Sequence, residues 1–502
     1  MKYIFNNDNK DIIERICDIN DVSINDIKNN FIVDYNIKIV KEFANKLLEN
    51  KDKKFLIVGD YDCDGICATT IIKKLLEELN IKCNYYIPSR SKDGYGLNTR
   101  IVDNAIENKF DFLFLVDNGV SAKECVDYAL ENDIKTFIID HHEYKNTVNS
   151  YAFLHPNLFS SDYSDMCASG LCSLLANTIK HDDYYTVLGG LATLADSVRV
   201  LGYNRYLIKE ACRLLSLYDF KSIKALLNGE VTYKELQFNV IPKINSVSRI
   251  DEFLNVNYVV KYLLDNDNNF EYYLSNIEAI NNARKEYSKS MFEKAIKDVV
   301  DDKDLIVISS PLYKEGLCGL LANRLMNKYN KAVLVFSEGD NEFKGSGRAP
   351  KGCNLYGYLE KAKELFSSFG GHLQAVGLSL NKDNFKKFNE YINTNAIEYS
   401  SIEQNVLEID VGNINNKLLE KLDDILPFGP GFEEPLFAIK NPTIISKTLA
   451  ANKYPKYILE NNIQAISFNS DHVSKEFEYM IGYIQKDTYH NDGVSFLIED
   501  LI

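Results

Sequence analysis

Asp60, Asp62 and Asp64 stand at alternate positions in FLIVGDYDCDGICATTII, residues 55–72. Further along, FLVDNG brings in Asp117 and FIIDHHE brings in Asp140, His141 and His142. Each group directly follows a short apolar run. Carboxylates crowded within ~5 Å raise one another's pKa unless a cation sits among them. Oxygen donors with one or two imidazoles suit Mn²⁺ or Mg²⁺, and the lack of a thiolate set argues against structural zinc. Taken singly, an Asp at a strand end is often the cap of the next helix. Taken together, with an adjacent His pair, the set reads as a metal centre. Cys63 and Cys67 read as packing residues rather than ligands.

The elements around these residues explain how they could meet. KFLIVG (54–59), KCNYYIP (82–88), FDFLFLV (110–116) and IKTFII (134–139) read as strands, with helices expected over 66–79, 98–109 and 121–132. Strands alternating with helices through short joins imply a doubly wound parallel sheet. In such a sheet the strands' carboxyl ends share one edge, where ligands bind. That edge delivers the distant aspartates and histidines to one place. The first domain is expected over 1–200, with its later part helical. A helical region over 201–300 includes a long connector helix around NIEAINNARKEYSKSMFEKAIKDVV. A second α/β domain is expected over 301–400, with the glycine-bearing segments KGSGRAPKG and FGGHLQAVGLSL. Short strands with turn signals over 401–502 suggest a small β-barrel.

Bulk composition sets the outer limits. With 502 residues, 45% hydrophobic and 26% charged, the chain has core enough for two to four domains. No apolar run is long enough to span a membrane. The opening MKYIFNNDNKDIIERICDIN is polar and acidic, unlike a signal peptide. Ten cysteines without a CxxC pair suggest reduced thiols and a cytoplasmic location. A net charge of −15 argues against a broad nucleic-acid surface. Metal-binding carboxylates inflate that count, however, so the local placement of Arg and Lys decides the question.

With these motifs in hand, the chain resembles the DHH phosphoesterase superfamily, named for the triplet at 140–142. Within it, the chain resembles the RecJ family of single-strand-specific DNA exonucleases. GDYDCDG (59–65), VDNG (116–119) and DHHE (140–143) match the first three motifs, and LATLADSV (191–198) matches the fourth and adds Asp196. IPSRSKDGYGLN (87–98), PKINSVSRI (242–250), GSGRAP (345–350), FGGHLQAVGL (369–378) and PFGPGFEEPLF (427–437) resemble further segments in the family's order. The resemblance covers nearly the whole chain. It implies a DHH domain, a DHH-associated second domain and an OB-like C-terminal domain.

The activity implied is 5′→3′ degradation of single-stranded DNA to 5′-mononucleotides by a two-metal mechanism, in recombination, repair or replication. Mn²⁺ is the first expectation for the metals and Mg²⁺ the second. By this resemblance Asp62 and Asp117 hold one ion with Asp60 beside it, while Asp64, Asp117, His141 and Asp196 hold the other. Asp117 then bridges. Asp140 orients a histidine, and His142 contacts the scissile phosphate or assists proton transfer. Arg90, Ser346 and Arg348 anchor the terminal phosphate, for which the planar guanidinium is suited. Gly345 and Gly347 would let the backbone approach it. Arg249 and His372 contact the strand near the scissile bond. The expected partners are single-stranded DNA, with RNA left open, a helicase and a single-strand-binding protein, around a monomeric enzyme without membrane attachment.

Four positions depart from the family pattern. Tyr313 and Lys314 stand where Trp-His is usual, and His155 and Phe432 each stand where Asn is usual. Two other readings compete. One is a DHH phosphodiesterase for short oligonucleotides or cyclic dinucleotides, or a related pyrophosphatase. The other is a non-catalytic single-strand-binding replication factor that has lost its metal ligands; here every expected ligand is present.

Overall fold

The computed structural model describes residues 2–502 except 91, 145, 251, 266, 267, 301, 302 and 488–492. The boundary expected at residue 301 lies outside the described residues. The chain divides into two compact units. One holds Val33–Asp196 and Leu207–Ser400; the other holds the segment ending at Ile32, Ser197–Tyr206 and Ser401–Ile502. Among the described residues no helix is long and apolar enough to cross a membrane.

The chain begins with strand β1 (Lys2–Asn6). The larger unit then builds a five-stranded sheet from β2 (Lys54–Val58), β3 (Lys82–Tyr86), β4 (Phe112–Val116), β5 (Lys135–Ile139) and β6 (Ala152–Leu154). Its order is β3-β2-β4-β5-β6 and every pairing is parallel. FLFLV of β4 is buried at all five positions, as a strand covered on both faces requires. Between β2 and β4 the strand order reverses direction. That switch point opens a crevice at the carboxyl ends, where Asp60–Asp64 follow β2 and Asp117 follows β4.

The helix expected over 66–79 begins earlier and runs Cys63–Glu78, because Asp62 caps it: its side chain accepts from the Asp64 and Gly65 amides. After this sheet come mostly helices, ending in the 29-residue helix Phe270–Asp298 in the connector region.

A second sheet follows, with β7 (Leu305–Ser310), β8 (Ala332–Glu338), β9 (Glu342–Arg348), β10 (Ser368–His372) and β11 (Ala375–Asn381) in the order β10-β11-β9-β8-β7. Only β7 and β8 run parallel; the other pairings are antiparallel. The glycine-bearing segments therefore lie in strands. A Cβ on Gly345 would stand 2.5 Å from the Phe336 ring, and one on Gly347 would stand 2.6 Å from Leu334 and Val376 side-chain atoms. Core packing on the neighbouring strands already requires glycine at these two positions.

The smaller unit gathers β12 (Glu403–Glu408), β13 (Phe437–Lys440), β14 (Ile444–Ala450), β15 (Tyr454–Leu459), β16 (Gln464–Ser467), β17 (Tyr479–Lys486) and β18 (Val494–Leu501). With β1 they form one OB-like sheet, β1-β12-β13-β17-β18-β16-β15-β14. The first domain was expected to begin at residue 1. Instead β1 pairs in parallel with β12, and Ile13, Ile16 and Ile27 share a core with Leu407, Phe437 and Phe496. An apolar helix face finds its partner here rather than on the parallel sheet.

Candidate metal centre

Three donor sets come together at the carboxyl edge of the first sheet: Asp60, Asp62 and Asp117; Asp64, His141 and Asp196; and Asp117, His141 and His142. Within each set the donor atoms lie within 4.8 Å of one another. Nε2 of His141 is 3.2 Å from Asp117 Oδ1 and 3.8 Å from Asp64 Oδ2, and its Nδ1 is 3.6 Å from Asp196 Oδ2. Asp117 and His141 thus belong to more than one set.

Local structure fixes each donor. Asp62 uses Oδ1 to cap the helix Cys63–Glu78 at 2.9 and 3.2 Å. Asp64 accepts from the Ala168 and Ser169 amides at 2.8 and 2.7 Å, at the start of the helix Ala168–Ile179. Asp117 adopts φ +60 directly after β4, a left-handed conformation that Asp tolerates better than most residues. Asp196 is the C-cap of the helix Asp183–Ala195.

The charges do not balance within this group. Burial first and Asp62 second raise Asp60 to about 8. Burial, then Asp64, raises Asp196 to about 8. Asp62 is also raised, and Asp117 lies well above the ordinary carboxylate range, in both cases through burial and then Asp64. Oδ1 of Asp60 and Oδ1 of Asp117 are buried without a hydrogen-bond partner. Buried acceptors of this kind are costly, and a divalent cation answers both the orphaned oxygens and the repulsion. The residues therefore fit one or two hard divalent ions.

Asp140 is turned to a different task. Oδ2 accepts from the Val120 amide at 3.0 Å. Oδ1 accepts from the His141 and His142 amides at 2.8 and 3.2 Å and lies 2.8 Å from His142 Nδ1. Burial opposes its ionisation, but the His142 hydrogen bond and charge together with these amides hold it below the usual value. Burial likewise opposes charge on His142, yet Asp140 prevails and raises it to about 9.

Two aromatic residues that the motifs did not single out border the site. Tyr95 Oη donates to the Asp117 carbonyl at 2.9 Å and lies 3.3 Å from His142 Nδ1. The Tyr61 ring meets the Tyr95 ring edge-on at 6.4 Å, and Arg90 lies 4.2 Å above Tyr61.

The expected strand-binding arginines also converge. Burial, then Arg90, Arg284 and Arg348 among its neighbours, depress Arg249 to about 10. Arg284, on the helix Phe270–Asp298, was not foreseen; its Nε and Nη2 both donate to Asn281 Oδ1. Arg249 Nη1 donates to the Gly316 carbonyl at 3.2 Å. A Cβ on Gly316 would come within 2.3 Å of the Arg249 carbonyl oxygen. Ser346 Oγ and Arg348 Nη2 lie side by side over Gly319, 3.6 and 3.3 Å from where its Cβ would be. His372 stands exposed at the end of β10, and no side-chain hydrogen bond or ion pair is found for it among the described residues.

Cys63 and Cys67 are buried with sulfurs 4.0 Å apart. The departures from the family pattern each have a structural account. His155 is buried, with Nε2 3.1 Å from the His142 carbonyl and Nδ1 accepting from the Asn157 amide. Tyr313 is buried with its hydroxyl 3.4 Å from Asp298, and Lys314 pairs with Glu252 at 2.8 and 3.0 Å. Phe432 fills the core of the smaller unit, 5.1 Å from the Phe428 ring.

Comparison with known proteins agrees with this arrangement. The DHH family N-terminal domain matches residues 54–195, the DHHA1 domain 302–398 and the RecJ OB domain 407–500. The single-stranded-DNA-specific exonuclease RecJ of Haemophilus influenzae is 27% identical over 485 residues, covering 86% of this chain and 84% of that protein. The Escherichia coli protein of that name is 26% identical over 469 residues, covering 83% and 81%. The chain spans a smaller share, 59%, of the Bacillus subtilis protein, at 25% identity over 467 residues. RecJ from Thermus thermophilus in complex with Mn²⁺ shares the fold at a TM-score of 0.86 and 20% identity, over 100% of this chain and 79% of that one. The Mg²⁺ complex matches at 0.78 and 19% identity, over 100% of this chain and 78% of that one. The chain therefore carries a DHH domain, a DHHA1 domain and a RecJ OB domain in this order, on a fold shared with the Thermus protein.

Proposed function

We propose that this protein is a metal-dependent exonuclease specific for single-stranded DNA, working from the 5′ end and releasing 5′-mononucleotides. The observation that carries the reading is the group of donor clusters linked through Asp117 and His141, with Asp117 Oδ1 buried and orphaned, accompanied by converging arginines. Asp60, Asp62 and Asp117 would hold one divalent ion. Asp64, His141 and Asp196, with Asp117, would hold the other. Mn²⁺ and Mg²⁺ both suit these donors. Bound there, such ions supply a hydroxide nucleophile at neutral pH and offset charge on the leaving oxygen.

The chain's own groups do the rest. Asp140 keeps the His142 ring oriented and charged, so that His142 can donate a hydrogen bond to a phosphoryl oxygen. Where Asp60 stays off the ion, it would instead act as the base that accepts a proton from an incoming water. Arg90, Ser346 and Arg348 would grip the terminal 5′-phosphate and so set polarity. Arg249 and His372 would contact the strand near the scissile bond. Selection of single strands would rest on bases stacking against exposed aromatics such as Tyr95.

The test is direct. A labelled single strand with a 5′-phosphate is incubated with Mn²⁺, and mononucleotides are expected to leave stepwise from the 5′ end. Retained binding without cleavage would favour a scaffold role and overturn the reading.

A further inference from the structure

A cavity of about 320 Å³ opens beside Arg90, and its lining includes Tyr61, Lys92, Asp93, Arg100 and Glu252. No carboxylate or imidazole of the donor clusters lines it. Tyr61 stands between Asp60 and Asp62 in the chain, and Arg90 is stacked on its ring at 4.2 Å. These two residues therefore border both the cavity and the metal site.

The charges in the cavity wall are uneven. Asp93 Oδ2 accepts from Tyr86 Oη at 2.6 Å and from the Ser89 amide at 2.9 Å, and Oδ1 pairs with Arg100. Glu252 is matched by Lys314. With both carboxylates paired, Arg90 and Lys92 are left over. Neither has a carboxylate within ion-pair distance among the described residues, and Nε of Arg90 is buried without a hydrogen-bond partner. Arg249, whose charge interacts with that of Arg90, adds to the positive field there. The volume matches the lower end of small-ligand sites and exceeds what a single phosphate needs. Surplus cations next to a phosphate anchor suit further phosphate groups on the same strand end.

We propose that this cavity is a subsite for phosphates beyond the first, so that strands with a 5′-di- or triphosphate are substrates alongside 5′-monophosphorylated ones. The proposal rests on the exonuclease reading above. The chemistry is ordinary hydrolysis. Water adds to the first internucleotide phosphorus, the bond from that phosphorus to O3′ breaks, and O3′ takes the proton. The products are a nucleoside 5′-triphosphate and a strand one residue shorter with a 5′-monophosphate.

Two oligonucleotides of one sequence, 5′-monophosphorylated and 5′-triphosphorylated, test the proposal with the full chain and Mn²⁺. The triphosphorylated strand should be cleaved with kcat/KM within about tenfold of the other, releasing a nucleoside triphosphate first. Lys92→Ala should lower kcat/KM for the triphosphorylated strand by about tenfold, the scale of one charge-assisted contact, and leave the monophosphorylated strand unchanged. Lys92→Arg should restore it. If only the triphosphorylated strand is refused, or if Lys92→Ala affects both strands equally, the subsite is overturned and the exonuclease reading stands. If neither strand is cleaved, both fall.

Discussion

Oδ1 of Asp117 lies 3.2 Å from Nε2 of His141, buried and without a hydrogen-bond partner of its own. An acceptor in that state is a cost to the fold, and a bridging ligand is what makes it useful. Asp117→Asn keeps the shape and tolerates the φ of +60, but removes the bridging charge. We expect cleavage to fall by at least about a thousandfold, on the scale of losing metal activation of water. The cation-free variant should melt no lower than the parent, because a repelled carboxylate has gone. The rise in Tm on adding Mn²⁺ should shrink sharply. Turnover and thermal unfolding with and without Mn²⁺ check this, and near-normal cleavage would refute the bridge.

Stability should depend on pH in a direction set by Asp60 and Asp196, both raised to about 8 without a cation. Their ordinary values lie near 4. A group raised on folding favours the folded state most fully below its unfolded pKa and loses that advantage as pH climbs through the folded value. The cation-free protein should therefore lose stability between about pH 4 and 8 from these two groups. A divalent ion binds the deprotonated form, so its affinity rises over the same window. The Tm gained at one Mg²⁺ concentration should be larger at pH 8.5 than at pH 6. A gain that shrinks with rising pH would show that the cluster is not where the ion binds.

The sequence made the metal site largely legible because period and position agree there. Apolar runs such as FLFLV end at an aspartate, and parallel strands share an edge, so Asp62, Asp117 and His141 could be gathered without coordinates. Other features were hidden for physical reasons. Tyr95 and Arg284 carry no spacing signal, since one sits in a turn and the other on a long helix among many charged residues. The role of Gly345 depends on Phe336 from a neighbouring strand, a contact that local sequence does not contain. The docking of β1 on β12 joins residues some 400 positions apart, beyond the reach of periodicity.

Arg348 tests the phosphate anchor separately from the metals. Its guanidinium lies beside Ser346 and adds to the field at Arg249, while Nη1 donates to the Gly347 carbonyl at 2.7 Å. Arg348→Ala should lower kcat/KM on a 5′-phosphorylated strand by about 10–100-fold, as loss of a charged hydrogen bond implies. The penalty should be smaller on a 5′-hydroxyl strand, which has no terminal phosphate to lose. Mn²⁺ content measured by elemental analysis should stay at the parental level. Equal losses on the two strands would remove Arg348 from the anchor.

Gly316 tests whether the second sheet's domain positions Arg249. An added Cβ would meet the Arg249 carbonyl oxygen at 2.3 Å, and both partners are backbone, so neither can turn aside. Gly316→Ala must push the turn before the helix Cys318–Tyr329 away from Arg249, breaking the hydrogen bond from Nη1 to the Gly316 carbonyl. Overpacking of this kind costs roughly 1–3 kcal/mol, so the protein should still fold with a lowered Tm. The donor clusters share no contact with Gly316, so the Mn²⁺-induced rise in Tm should persist. KM for single strands should increase several-fold while the ion is still bound. A variant that keeps its KM but loses the Mn²⁺ response would mean that this contact supports the metal site and not the strand.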